Sequence, residues 1–171
     1  MDIYAKKGEG AMRYTTMASP VGELILLSDG SCLTGVYMAR DPDPSWQRED
    51  GLPVFAPVRE WLRDYFEGIP RPVEDLPLKA EGTAFQKTVW EILRTIPWGQ
   101  KRTYGDIAKE AARLLGKEKM SAQAIGQAVG KNPISILIPC HRCVGTGGKL
   151  TGYAGGIENK AWLLSHEEEH K

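Results

Sequence analysis

Cys140 is followed at once by His141 and Arg142, and Ile136-Leu137-Ile138-Pro139 precedes it. A thiol beside a base and a fixed cation can lose its proton near neutral pH, and the thiolate is the nucleophilic form. The three branched apolar residues read as a buried strand, ended by Pro139 because proline cannot donate to a sheet ladder. Cys140 is therefore expected at the end of a stiff element, with an imidazole and a guanidinium beside it. The competing reading is a small buried hydrophobe that happens to precede a histidine, since free cysteine is among the most buried residue types.

Cys140 and Cys143 also form a C-x-x-C pair. In a thioredoxin-like site the first cysteine opens a helix, whose N-terminus lowers its pKa. Here Val144 and a glycine turn follow instead. A structural zinc takes about four ligands, and beyond this pair only Cys32 and the late His166 and His170 remain, so the ligand count fails. No metal and no cofactor are expected. His166 reads as a surface residue of the last helix, which leaves His141 as the candidate base. A carboxylate commonly orients such a histidine, but spacing alone does not choose it among 22 acidic residues.

The 171 residues suffice for one large or two small cores, and Lys+Arg equals Asp+Glu at 22 each. No apolar run approaches the roughly 20 residues that cross a bilayer, and residues 1–20 show no apolar signal-peptide segment. Three cysteines do not make a disulfide framework, so a cytoplasmic, reduced protein is expected. The neutral total hides an asymmetry. Residues 1–82 hold nine Lys/Arg against fourteen Asp/Glu, and residues 83–171 hold thirteen against eight. A polyanion is thus expected to meet the second half, the alternative being a solvated basic face.

The elements that must position this chemistry can be read along the chain. Residues around Lys6, Lys7, Gly8 and Gly10 read as a loose terminus. Met12–Thr16, Gly22–Leu27 and Leu33–Met38 read as strands, the last two joined by an Asp29-Gly30 turn. Val54–Phe66 has helical apolar spacing and ends near Gly68. Pro70–Gly82 reads as a linker. Thr83 and Gln86 form a capping box for a helix with Phe85, Val89, Trp90, Leu93 and Ile96 on its apolar stripe, ended by Pro97-Trp98-Gly99. Thr103 caps a helix burying Ile107, Ala108, Ala111 and Leu114. After a Gly116–Lys119 turn, Ser121 caps another, whose Ala122, Ala124, Gly126 and Ala128 are nearly featureless. A final helix near Glu158–Glu168 offers Trp162, Leu163 and Leu164 to the core. Two short helices, a strand and a glycine turn look like a helix-turn-helix with a wing. Small residues on the second helix fit close packing or close approach of nucleic acid.

Asn132-Pro133-Ile134-Ser135 running into Pro139-Cys140-His141-Arg142, then Gly152-Tyr153-Ala154-Gly155-Gly156 and Lys160-Ala161-Trp162-Leu163-Leu164-Ser165-His166-Glu167, resembles the O6-alkylguanine-DNA alkyltransferases. The likeness runs from about Gly82 to Glu167 and is weaker in Ser19–Leu24. It implies an α/β (α+β) fold, with an N-terminal ribonuclease-H-like domain over residues 11–77 and a C-terminal winged-helix domain over 83–169. It implies transfer of an alkyl group from a flipped O6-alkylguanine in double-stranded DNA to Cys140, once per molecule, with O4-methylthymine as a further expected substrate. By the same resemblance His141 takes the thiol proton through a water, Glu167 orients His141, and Asn132 braces the turn. Tyr104 donates to the departing base or its phosphate. Tyr153, Gly155 and Gly156 wall the pocket. Ser121, Ala122, Gln123, Gly126 and Arg142 face substrate or DNA. A monomer is expected.

The chain departs from the family pattern in places. Gln123 stands where many members carry an arginine, so weaker DNA binding is expected. Cys143 usually has an aliphatic counterpart, and a Cys140–Cys143 disulfide would block transfer in oxidant. Relatives without the cysteine bind lesions and do not repair them, which is the rival function class.

Overall fold

The computed structural model describes residues 10–171, so Lys6, Lys7 and Gly8 lie outside the described residues. The chain divides into two compact units, the first reaching Ala80 and the second starting at Glu81.

In the first unit, β1 (Arg13–Met17), β2 (Leu24–Ser28), β3 (Leu33–Tyr37) and β4 (Gln47–Arg48) form a sheet in the order β3-β2-β1-β4. β2 pairs antiparallel with both β1 and β3, and β4 pairs parallel with β1. β2 is buried along its whole length, as expected for a central strand of near-continuous Leu and Ile. The hairpin turn forms where Asp-Gly stands: Gly30 has φ +106°, and Asp29 Oδ1 accepts from the Ser31 and Cys32 amides. β4 has two exposed polar residues and no apolar pattern, so the sequence carries no sign of it. Helix α1 (Phe55–Phe66) buries Phe55, Val58, Trp61, Leu62 and Tyr65, the 3–4 spacing of one helical face.

Much of the expected linker belongs to this unit. The Leu33 amide donates to the Pro77 carbonyl at 2.7 Å and the Lys79 amide to the Leu33 carbonyl at 2.8 Å. Trp61 Nε1 donates to the carbonyls of Arg71 and Pro72. Prolines here shape an ordered strap, and do not loosen it.

The second unit holds α2 (Ala84–Arg94), β5 (Arg102–Thr103), α3 (Tyr104–Leu114), α4 (Ala122–Gly130), β6 (Cys143–Val144) and α5 (Ile157–Glu169). Three caps form as the sequence predicts. Thr83 and Gln86 make the capping box, Thr103 Oγ1 accepts from the Asp106 amide, and Ser121 Oγ accepts from the Ala124 amide. Leu114 is an exception: it is 52 % exposed, because α3 turns its Ala108, Ala111 and Ala112 face inward and ends there. On α5 only Leu163 of the three expected core residues is fully buried, with Trp162 and Leu164 half-buried. Among the described residues no helix is long and apolar enough to cross a membrane.

Candidate active site

The expected Ile136–Ile138 strand does not form. Ile136 adopts φ +72°, a left-handed conformation that is costly for a β-branched residue. Asn132 holds the chain there: its Nδ2 donates to the Ile138 carbonyl at 2.9 Å, and its Oδ1 accepts from the Ile134 amide at 3.1 Å. The Leu137 amide donates to the Ser135 carbonyl and the Ile138 amide to the Ile134 carbonyl. Ile134, Ile136, Leu137 and Ile138 are all buried. The apolar run therefore marked burial, and a single buried amide converted it from strand to turn.

This turn delivers Cys140, His141 and Arg142 as one turn of 3-10 helix that runs directly into β6. β6 pairs parallel with β5, Arg102 with Cys143 and Thr103 with Val144. Because Tyr104 opens α3 immediately after β5, the same two-residue ladder fixes both the cysteine turn and Tyr104.

Glu167, fully buried on α5, collects the donors of the site. His141 Nε2 lies 2.7 Å from its Oε2, Arg142 Nε and Nη2 donate to it at 2.8 and 3.0 Å, and the Gly99 amide donates at 3.3 Å. Burial opposes the charge on Glu167, but the bonds from His141 and Arg142 outweigh it and hold the carboxyl well below the usual range. A carboxylate only accepts, so Nε2 carries the His141 proton and Nδ1 is left as an acceptor. Nδ1 is buried and has no hydrogen-bond partner among the described residues. Burial lowers the His141 pKa, with Glu167 opposing, and so favours the neutral ring.

Cys140 is 5 % exposed. Burial raises its pKa, while Asn132, Lys160 and Tyr153 each favour the thiolate. Burial thus favours the neutral form of both the Cys140 thiol and the His141 imidazole. Lys160 of α5 favours the thiolate, although burial lowers its own pKa. Its side chain is fully buried, donates to the Thr151 carbonyl at 3.4 Å and lies 5.8 Å from the Tyr104 ring centroid.

Arg142, expected to face DNA, turns inward. Besides Glu167, it donates from Nη1 to the Ile96 carbonyl at 2.6 Å. Its guanidinium joins the Glu167 carboxylate to the carbonyl of Ile96, just beyond α2. His166, expected at the surface, is 6 % exposed and stacks on Trp162 at 4.7 Å. Cys143 is fully buried in β6, and burial pushes its thiol up to about 12. Those are the surroundings of a core residue, and they weigh against ready disulfide formation with Cys140.

A cleft of about 580 Å³ opens between the start of α3, α4 and the glycine loop, lined among others by Tyr104, Ala122, Gln123, Gly126 and Tyr153. Tyr104 accepts a hydrogen bond from Thr151 Oγ1 at 3.1 Å. The Tyr153 hydroxyl is buried close to the Cys140 sulfur and, among the described residues, makes no well-formed bond. Gln123 and Ala122 are exposed on α4, and Ser121 serves as its cap. A Cβ at Gly126 would meet only the Tyr104 ring, at 3.9 Å. Tight packing within the protein therefore does not require that glycine. The Gly155 carbonyl accepts from Asn159, and Gly156 at φ +97° opens α5. Lys160, Gly99 and the Ile96 carbonyl were not anticipated. Lys160 and Glu167 lie seven residues apart on the face that buries Leu163, and a charged residue on such a stripe was the available signal.

Two family descriptions cover nearly the whole chain. The ribonuclease-like domain of 6-O-methylguanine DNA methyltransferase matches residues 12–80, and its DNA-binding domain matches residues 84–169. A methylated-DNA–protein-cysteine methyltransferase of Haemophilus influenzae is 44 % identical over 92 % of this chain and 87 % of its own. One from Mycobacterium tuberculosis is 42 % identical over 92 % and 93 %. The crystal structure of Mycobacterium tuberculosis O6-methylguanine methyltransferase superposes with a TM-score of 0.82 at 41 % identity, covering 94 % of each chain. The same organism's protein in complex with DNA matches equally well, at a TM-score of 0.82 and 40 % identity over 92 % of this chain and 94 % of that one. With its cysteine turn, buried carboxylate and two matched domains, this chain belongs to the 6-O-methylguanine DNA methyltransferase family.

Proposed function

We propose that the chain repairs DNA by taking the alkyl group of O6-alkylguanine onto Cys140 Sγ, with His141, Glu167, Lys160, Asn132 and Tyr104 acting on that step. The observation that carries this reading is the orphan Nδ1 of His141, the residue next to Cys140 in the chain, buried while Nε2 is fixed on Glu167. A base held in one tautomer with its acceptor free is poised to receive a thiol proton, directly or through one water.

A methyl on oxygen is a poor electrophile, and a guanine anion is a poor leaving group. When the base enters the cleft, the Cys140 proton passes to His141 Nδ1, and Glu167 holds the imidazolium. Sγ then forms its bond to the alkyl carbon as the carbon–O6 bond breaks, and that electron pair leaves with the guanine. Tyr104 hydrogen-bonds the departing base, and the proton held by the His141 imidazolium passes through water to the guanine ring nitrogen, leaving both neutral. No oxidation state changes, and the thioether product is stable, so each molecule acts once. Lys160 offsets the cost of an anionic sulfur in a buried site. Extruding the base costs a few kcal/mol, and phosphate contacts along the positively charged second half offset part of it. Double-stranded DNA is the partner, a monomer suffices, and two buried thiols suit a reducing cytoplasm.

The rival is a lesion sensor that binds without reacting. Incubation with an O6-methylguanine duplex, followed by mass spectrometry of the peptide holding Cys140, separates the two. One added methyl group supports transfer, and tight binding with an unmodified peptide rejects it.

A further inference from the structure

A second cleft, of about 440 Å³, lies between α3, the turn after it and the start of α4. Gly105, Ala108 and Ala112 give it a floor of small residues, and Lys109, Arg113, Lys117 and Lys119 rim it against one acid, Glu118. Lys109 and Arg113 are one helical turn apart on α3. Gly116, at φ +68°, reverses the chain, and the Lys117 amide bonds the Ala112 carbonyl at 2.8 Å, which folds the two lysines back over the helix. All four cations are exposed, and among the described residues none is ion-paired.

Like charges one turn apart on a helix are mutually destabilising. The dipole at the end of α3 favours cations only within its last turn, and Lys109 lies before it. An anion in the cleft relieves that repulsion. Ala122 lines this cleft and also the cleft beside Tyr153, and Gly105 here adjoins Tyr104 there. The basic cleft is thus continuous with the face that receives the lesion. In helix-turn-helix proteins the first helix crosses the DNA backbone while the second enters the groove.

We propose that the α3–α4 turn is a phosphate-binding site, gripping the DNA backbone beside the lesion through Arg113, Lys117 and Lys119. This rests on the reading that α4 faces DNA. The test is a fluorescence-anisotropy titration of an O6-methylguanine duplex across a salt series, comparing wild type with the Arg113→Gln/Lys117→Gln/Lys119→Gln variant. The variant is expected to bind about tenfold or more weakly at low salt, with the slope of log K against log salt shallower by about 1–2, as one to two lost phosphate contacts require. Reaction with free O6-benzylguanine, which carries no phosphate, is expected at the wild-type rate and reports an intact site. An unchanged slope overturns the proposal, even where affinity or thermal stability falls. Should the triple variant react poorly with the free base, the Lys117→Gln and Lys119→Gln single variants are read in the same way, each with a smaller change in slope. Failure of wild type to demethylate the duplex would instead overturn the function proposed above.

Discussion

Lys160 and Glu167 stand seven residues apart on the inward face of α5, both fully buried, and act on opposite ends of the Cys140–His141 pair. Two helical turns span about 10.5 Å, so one rigid rod sets a cation near the sulfur and an anion on the imidazole. Moving a proton from thiol to imidazole creates a thiolate near the cation and an imidazolium against the anion. The field of α5 therefore favours the very charge separation that burial opposes.

Lys160→Met should slow alkyl transfer at pH 7 by about tenfold or more, because the thiolate loses a nearby cation that favours it. A rate–pH profile for the free modified base is the check. The variant's profile should shift to higher pH and recover in alkali, and Lys160→Arg should restore part of the rate. A uniform loss at every pH would assign Lys160 to packing alone.

Arg142→Gln should destabilise the fold by roughly 3–5 kcal/mol, the range for removing one partner of a buried ion pair, as read from urea midpoints. The salt slope of DNA binding by the folded variant should stay at the wild-type value, because the guanidinium is spent on Glu167 and Ile96. A shallower slope with unchanged stability would place Arg142 on the DNA.

The family pattern was legible because it is written in side chains that act locally: the three caps, the Asp29-Gly30 turn and the order of strands and helices. What escaped was set by tertiary contacts. Ile136–Ile138 has the composition of a strand, but Asn132 bonds its backbone and imposes a turn. Arg142 beside a nucleophile invites a substrate role, and only the folded position of Glu167 turns it inward. Lys160 in a sequence says exposed; the glycine loop and Tyr104 cover it.

Stability should fall on acidification in two stages. Burial depresses the His141 pKa, so below about 6.5, its ordinary value, the unfolded chain binds that proton first and stability declines. Glu167 is held well below its ordinary value of about 4.3; its contribution is complete above that pH and is lost as pH falls toward the folded value. Urea midpoints across a pH series check this. His141→Gln should remove the upper stage, while a lower one persists because Arg142 still holds Glu167 down, whereas equal sensitivity in both proteins would contradict the assignment.

Gln123→Arg should tighten binding to a lesion-bearing duplex severalfold and steepen its salt dependence. Gln123 is exposed on α4 at the cleft, where a guanidinium adds charge that glutamine lacks. Anisotropy titrations of the two proteins decide it, and matching affinities and slopes would refute it.

The most direct measurement is a titration of wild type and Cys140→Ser with a duplex whose O6-methyl group is radiolabelled. Wild type should reach a plateau at one methyl per chain, with the label on the peptide that contains Cys140, and the serine variant should bind the duplex and take none. Demethylation that continues past one equivalent, or that survives in Cys140→Ser, would contradict the account.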